Sequence, residues 1–566
     1  SGFLLPELST SDRNGFGLNL PYYLVLDPEQ DATLYTNMMK KRGLMLGLEY
    51  RTTPNLMSKG LFRADWLNDR LDDADIDQFD DDALDRPNSE RYWIRGKYNG
   101  MFLTPDWTTK LDVDVVSDQD YLRDFDSGMS GFEQSREVFL NEFGRDIENK
   151  DDLQRTSILQ LSRNWSWFGV RGEVEYTENL KYMNDNNPSS LNPTLQHLPK
   201  LDLDVFQHQL LSTPLRWEAE NEATYFWREY GTTGMRFDLH PQISLPLENA
   251  YGSIIPRVGW RQTLYSLDQL ENSDLEDKRH TRGLFDAQIT AFTSFERIFD
   301  LESTLTPTQE SIGESRWTGI KHTLQPELEW NYIPEKDQED LPDFDTIDRI
   351  EAENELTYSI QSVLTRRRVQ VQGRGKAGDA PSLNTDYLDF CLLELEQSYD
   401  FEEAERTEDK DIYPRRPFSD IRAEVQLNPF PWLSYFSRTW FSPYESAITE
   451  HEHILRLHRG NQSSFYFGLD YQKETTEDYE RQDEDPINVF RVGASHRLTP
   501  SWQISADIKQ DVENSEIVHH RFRVGYRHQC WGLDLEFERT ENENKLLVMI
   551  NLLQIGQFGQ SMSMEN

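Results

Sequence analysis

Within "CWGLDLEFERTENENKLLVMINLLQIGQFG" the side chains change character at every step: Trp531, Leu533, Leu535 and Phe537 are apolar, whereas Gly532, Asp534, Glu536 and Glu538 are small or acidic. Successive side chains of an extended strand point to opposite faces, so this alternation makes one greasy face and one charged face. The pattern returns at Phe465, Phe467, Leu469 and Tyr471, at Trp502, Ile504, Ala506 and Ile508, and at Ile421, Ala423, Val425 and Leu427. A chain built this way must find a place for many apolar faces. With 36% hydrophobic residues, a mean hydropathy of −0.75 and a net charge of −43, one large core surrounded by water is a poor answer. Long disordered acidic segments would account for the same numbers. The 24 Tyr, 30 Phe and 14 Trp speak for strands instead, because aromatic residues favour sheets and disordered chains lack them.

Between the alternating runs lie two kinds of connection. "LTPDWTTK", "LNPFPWLS" and "RLTPSW" are short and rich in Pro, Asn or Thr, the mark of tight turns. "DWLNDRLDDADIDQFDDDALDRPNSERYW", "TENLKYMNDNNPSSLNPTLQHLPKLD", "EQSYDFEEAERTEDKDIYPRRP" and "QKETTEDYERQDEDP" are long and polar. Short turns alternating with long charged loops fit a large antiparallel transmembrane β-barrel of the bacterial outer membrane, with a polar lumen and the long loops outside. A crossing needs about 9–11 residues, so residues 1–566 as one barrel domain supply about 20 to 28 strands. No run of about 18 apolar residues exists to make a transmembrane helix. The competing fold is a soluble all-β sandwich or propeller, but no fixed repeat of the propeller kind is found.

The charge balance, 101 acidic against 58 basic residues, excludes proteins that bind nucleic acid through its phosphates. Acidic loops such as Asp72 to Asp85 either stay solvated or hold divalent cations, although none has the spacing of a calcium loop. Arg366, Arg367 and Arg368 either meet phosphates or sit at a strand end near headgroups. "GRGKAG" (Gly373 to Gly378) matches a phosphate-loop spacing, but "DAPSLN" follows with a proline where a helix should begin. In "HEHILRLH" (His451 to His458) alternation puts His451 and His453 on one face without metalloprotease spacing. No Ser with a nearby His and acid stands out as a nucleophile. The residues therefore predict no enzyme, no metal and no cofactor.

Several stretches go beyond generic alternation. "SGFLLPELSTSDRNGFGLNLPYYLVLDPEQDATL", "KKRGLMLGLEYR", "VDVVSDQDYLRDF" (Val113 to Phe125), "FERIF" and "HTLQPELEWNYIPEKDQEDLPDFDT" (His322 to Thr346) resemble, in this order, words of the LptD family of lipopolysaccharide-assembly proteins. The resemblance touches both ends and the middle of the chain. It implies a barrel of about 26 strands in the outer membrane of a Gram-negative bacterium, which places lipopolysaccharide in the outer leaflet. It further implies a lumenal plug formed by a lipoprotein, LptE, and a periplasmic bridge that delivers the lipid to an N-terminal domain. The 566 residues begin at Ser1 and hold no such domain, so the resemblance makes them the barrel part of a longer protein. In the family, adjacent cysteines ahead of a Trp bond to that domain. Here only Cys530, preceding Trp531, matches, which implies at most one such bridge; Cys391 has no counterpart.

Two prolines, Pro6 and Pro21, fall in segments that otherwise read as the first two strands. Proline has no N–H for a ladder, so sheets confine it to edges, strand ends and bulges. If a first strand at about Phe3 to Leu8 meets a last strand at about Leu546 to Leu553, Pro6 removes a donor at the closing seam and Pro21 one between the first two strands. With each net hydrogen bond worth about 0.5–1.5 kcal/mol, the two losses loosen the region by roughly 1–3 kcal/mol. Either the prolines mark a lateral gate between first and last strands, or they sit harmlessly at a strand start and a bulge. The alternative function is a porin-like or ligand-gated transporter, which needs a fully paired wall.

Overall fold

The structure is a computed structural model that describes residues 1–71, 89–102, 104–183, 187–270, 275–301, 305–373, 381–407, 414–460, 462–473, 487–512, 517–529, 531–540 and 544–552. Twenty-six antiparallel strands close into a barrel, and every described strand belongs to one sheet. Three of them are interrupted, namely Gly2–Phe3 with Glu7–Ser11, Thr233–Ser244 with Leu247–Asn249, and Arg279–Phe292 with Phe295–Asp300. The two pieces of each share one neighbouring strand, so each counts as one wall element. Closure comes from Glu7–Ser11 pairing with the last strand, Asn544–Leu552.

Antiparallel order sorts the connections by end. The strands that end at Asn68, Val116, Asn179, Ile333, Asp400 and Gln472 all end at one rim, the loop end, from which residues 117–153 and 334–352 continue. Two-residue turns at 28–29, 56–57, 250–251 and 431–432 leave at the other, the turn end, where the first strand also begins.

Each strand's alternation becomes a difference between inside and outside. Trp531 is 38% and Phe537 42% exposed on the outer face, while Asp534 and Glu536 of the same strand are 7% and 4% exposed toward the lumen. The interior is thus polar and the exterior greasy, the reverse of a water-soluble fold and the order a lipid solvent demands. Inward charges pair across neighbouring strands: Arg521 with Glu538 at 2.7 Å, Arg523 with Glu536 at 2.6 Å and Arg527 with Asp534 at 2.8 Å.

The wall is uneven in depth. Ser315–Ile333, Glu353–Gln372 and Ser382–Asp400 are paired along almost their whole length. Phe295–Asp300 pairs only with residues 319–324, on one side, because its other neighbour stops at the turn of residues 250–251. These strands therefore run past the rim at the turn end. Irregularities between Trp317 and Gly319 and between Leu364 and Thr365 bend them there.

Candidate functional site

The place where a barrel closes is the one joint not made by neighbours in sequence, and here it is short. First and last strands share five register pairs, from Glu7 opposite Met549 to Ser11 opposite Lys545. Beyond Glu7 toward the turn end, Ile550, Asn551 and Leu552 pair with Leu533, Gly532 and Trp531 on their other side. Among the described residues, none of the first strand answers them. The outer face of the joint carries Leu8 and Thr10 beside Val548 and Leu546; its lumenal face carries Glu7, Ser9, Leu547 and Lys545.

Both prolines lie at the break in the first strand, Pro6 within it and Pro21 on the second strand opposite. The first strand meets the second at Glu7 opposite Asn19, then again only at Phe3 opposite Tyr22. Leu4, Leu5 and Pro6 thus face Leu20 and Pro21, three residues against two, which is a bulge. Leu4 N–H donates to the Pro21 carbonyl at 2.8 Å. In an antiparallel ladder a residue's N and C=O face the same neighbour, so the donor that Pro21 lacks is missing from the first-strand side. Its pairing with Tyr35 of the third strand is undisturbed. Pro6 immediately precedes the last seam pair. The expected strand from Phe3 to Leu8 is accordingly broken, with its second piece shifted to Glu7–Ser11, since a bulge interrupts what alternation alone reads as continuous.

Against the lumenal side of this region folds the loop of residues 117–153. Asp118 caps the helix α1 (Gln119–Asp124) by accepting the Tyr121 N–H at 2.8 Å, and α2 (Phe132–Phe143) ends at Gly144, whose φ of 64° suits a residue without Cβ. Tyr121, Leu122, Phe125, Phe132 and Phe139 from the loop pack with Met45, Leu67 and Trp93 from the wall. A small apolar core therefore sits inside a polar barrel. Beside it, Asp124 accepts from Arg13 at 2.7 Å and from Arg91 at 2.6 Å, and pairs with Arg42 as well. Asp69 accepts from Arg42 at 2.8 Å and Arg91 at 3.0 Å, and Asp118 accepts from Arg91 at 3.0 Å. Burial alone would raise the Asp124 carboxyl, but Arg42, Arg91 and Arg13 together hold it well below the usual carboxylate range. Burial pushes Glu133 up, with Asp126 adding to it.

A second loop, residues 334–352, folds inward on the far side. Arg236 donates to Asp345 at 2.5 and 2.6 Å, to Asp348 at 2.8 Å and to Glu222 at 2.7 Å. Tyr265 donates its hydroxyl to Asp348 at 2.8 Å, and Phe344 stacks on Phe226 at 4.4 Å. The words YLRDF and LPDFDT of the sequence thus belong to two loops pinned inside the barrel. Arg13, Arg42, Arg91 and Arg236, which do the pinning, carry no signal in the linear sequence beyond being basic.

The other candidate residues stand apart. Cys530 lies outside the described residues, as does the whole of Asp72 to Asp85. Cys391 is free and half-buried opposite Leu364 and Leu427. His451 and His453 share the outer face, stacked on each other at 4.8 Å with Tyr471 and Tyr435 alongside. No group of three metal-binding side chains occurs among the described residues. Arg367 pairs with Asp300 at 3.3 Å and Arg368 with Asp386 at 2.9 Å, while Arg366 lies over the Trp317 ring at 5.3 Å.

A family model described as LPS transport system D matches residues 89–502. Among curated relatives, "LPS-assembly protein LptD" of Pseudomonas syringae pv. tomato is 28% identical over 401 residues, covering 68% of this chain and 39% of the relative. The protein of the same description from Cupriavidus necator is 23% identical over 572 residues, covering 96% of this chain and 60% of the relative. The chain thus spans 39% and 60% of the length of these two relatives. Among solved structures, the siderophore receptor PirA from Acinetobacter baumannii aligns over 98% of this chain and 81% of its own, at a TM-score of 0.31 and 8% identity, too low to bear on function.

Proposed function

The chain belongs to the LptD family, LPS transport system D, and from that premise we propose that it inserts lipopolysaccharide into the outer leaflet through its lumen and a lateral gate between first and last strands. It is an outer-membrane barrel. Its role is transport and assembly rather than catalysis.

The observation that carries this reading is the five-pair joint that ends beside Pro6, with Pro21 facing the break in the first strand. In hydrocarbon an unanswered N–H or C=O costs several kcal/mol, so a wall that parts in the membrane must part where the fewest such groups are freed. A proline leaves no N–H to desolvate when the strands separate. Acyl chains leave sideways through this joint while sugars stay in the charge-lined lumen. A porin-like transporter has no use for a short joint, which sets that alternative behind. Lipid delivery by a periplasmic bridge through an N-terminal domain, a plug of the LptE kind in the lumen, and a disulfide from Cys530 to that domain belong to the same proposal.

Replacing Pro6 and Pro21 together by Val, which restores two donors, tests it. Surface lipopolysaccharide, labelled on intact cells, is expected to fall. Undiminished delivery from a normally assembled barrel contradicts the gate.

A further inference from the structure

The seam is bridged from inside the barrel by residues 127–131, the link between α1 and α2. On the first-strand side, the Met129 N–H donates to Glu7 Oε2 at 2.9 Å, and Asn19 of the second strand donates to Ser130 Oγ at 3.5 Å. Arg63 Nη1 reaches the Met129 carbonyl at 2.8 Å and Arg95 Nη2 the Ser130 carbonyl at 3.0 Å. Arg13, in the turn that follows the first strand, holds Asp124 just upstream. On the last-strand side the direct hydrogen bond is from Lys545 Nζ to the Ser127 carbonyl at 3.3 Å. Glu7 and Lys545 are both buried, so these contacts are shielded from water and stronger than surface ones.

The two sides are unequal. Glu7 and Asn19 of the first two wall strands and Arg63 and Arg95 of Ser58–Asn68 and Glu90–Phe102 hold the segment by four bonds, against one from Lys545 of the last strand and the Ser127 contact with Glu538 beside it. From this we infer that residues 127–131 are a clasp that travels with the first strand and holds the loop end of the seam shut, with Lys545 as its release point. The inference rests on the lateral-gate reading and deepens it: the seam opens from the turn end, where the described residues of the two strands form no ladder, and widens only when Lys545 lets go.

The test is hydrogen exchange by mass spectrometry on the barrel in lipid nanodiscs. Lys545→Met is expected to speed exchange of the amides of Glu7–Ser11 about tenfold, the effect of losing one charge-assisted bond on a local opening. Lys545→Arg, which keeps a donor, is expected to leave it near the parent rate, and amides of Glu353–Gln372 are expected not to change in either variant. Seam exchange in Lys545→Met equal to the parent overturns the clasp. The gate reading fails on a separate result, undiminished lipid delivery with both prolines replaced, so the two failures are distinguishable.

Discussion

The closing seam and the wall of residues 315–400 are made of the same antiparallel pairing and behave as opposites. Ser315–Ile333 and Glu353–Gln372 meet in eighteen register pairs; the first and last strands meet in five. The long wall contains a proline too: Pro326 keeps its register with Ile360 on one side, but its carbonyl accepts from the Thr293 N–H at 3.2 Å on the other, where the neighbouring strand is interrupted between Phe292 and Phe295. A missing donor thus coincides with a break in the strand it faces, while the ladder on the proline's other side stays in register. What distinguishes the seam is that Pro6 stands at the end of a short ladder, beyond which no described residue of the first strand pairs with the last. The seam is compensated from the lumen instead, by a loop whose grip is ionic and apolar rather than backbone.

The comparison is broken most severely by removing that grip. Arg91→Met leaves Asp69, Asp118 and Asp124 buried with less counter-charge, and removing one partner of a buried ion pair typically costs about 3–5 kcal/mol. The expected outcome is a large drop in the urea midpoint reported by Trp93 fluorescence, with exchange protection in residues 353–372 retained. Acid acts on the same network. Because the Asp124 carboxyl is held below its ordinary value, the stability it contributes is fully present above about pH 3.9, the free aspartate value, and is lost as pH falls through its lower folded value. The Trp93 signal should accordingly be flat from neutral pH to about 4 and change only below it. A transition above pH 5 contradicts that assignment.

The far wall sharpens the contrast from the other side. Val363→Pro takes a donor from the middle of the long ladder, at an expected cost of about 1–3 kcal/mol in thermal stability. It should not create a second exit, because pairs on both sides of Val363 hold the strand in place; surface lipopolysaccharide should stay at the parent level per assembled barrel. Smallest is Arg368→Gln, which breaks a partly exposed pair with Asp386 and should cost less than about 1 kcal/mol.

Much of this architecture was legible in the sequence. The alternation of Trp531, Leu533, Leu535 and Phe537 with acidic neighbours survives directly as outer and lumenal faces, because a strand's two sides are set by residue parity. Pro6 and Pro21 could be singled out because proline's missing N–H is a local chemical fact. The break at Leu4, Leu5 and Pro6 could not, since a bulge is decided by how two strands register. The lumenal network was invisible for a related reason. Arg13 and Asp124 are 111 residues apart, and neither helix α1 nor the loop's apolar side announces that it will turn into a polar barrel. The shape of the loop is a consequence of the wall it meets.

Lipid leaves the barrel sideways only if the joint between first and last strands parts. Cysteines at Leu8 and Val548, which face each other across it, should form a disulfide in the closed barrel. With that bond oxidised, delivery of lipopolysaccharide to the cell surface is expected to stop, and to resume on reduction. Delivery at the parent rate through an oxidised, correctly assembled barrel would contradict a lateral exit at this seam.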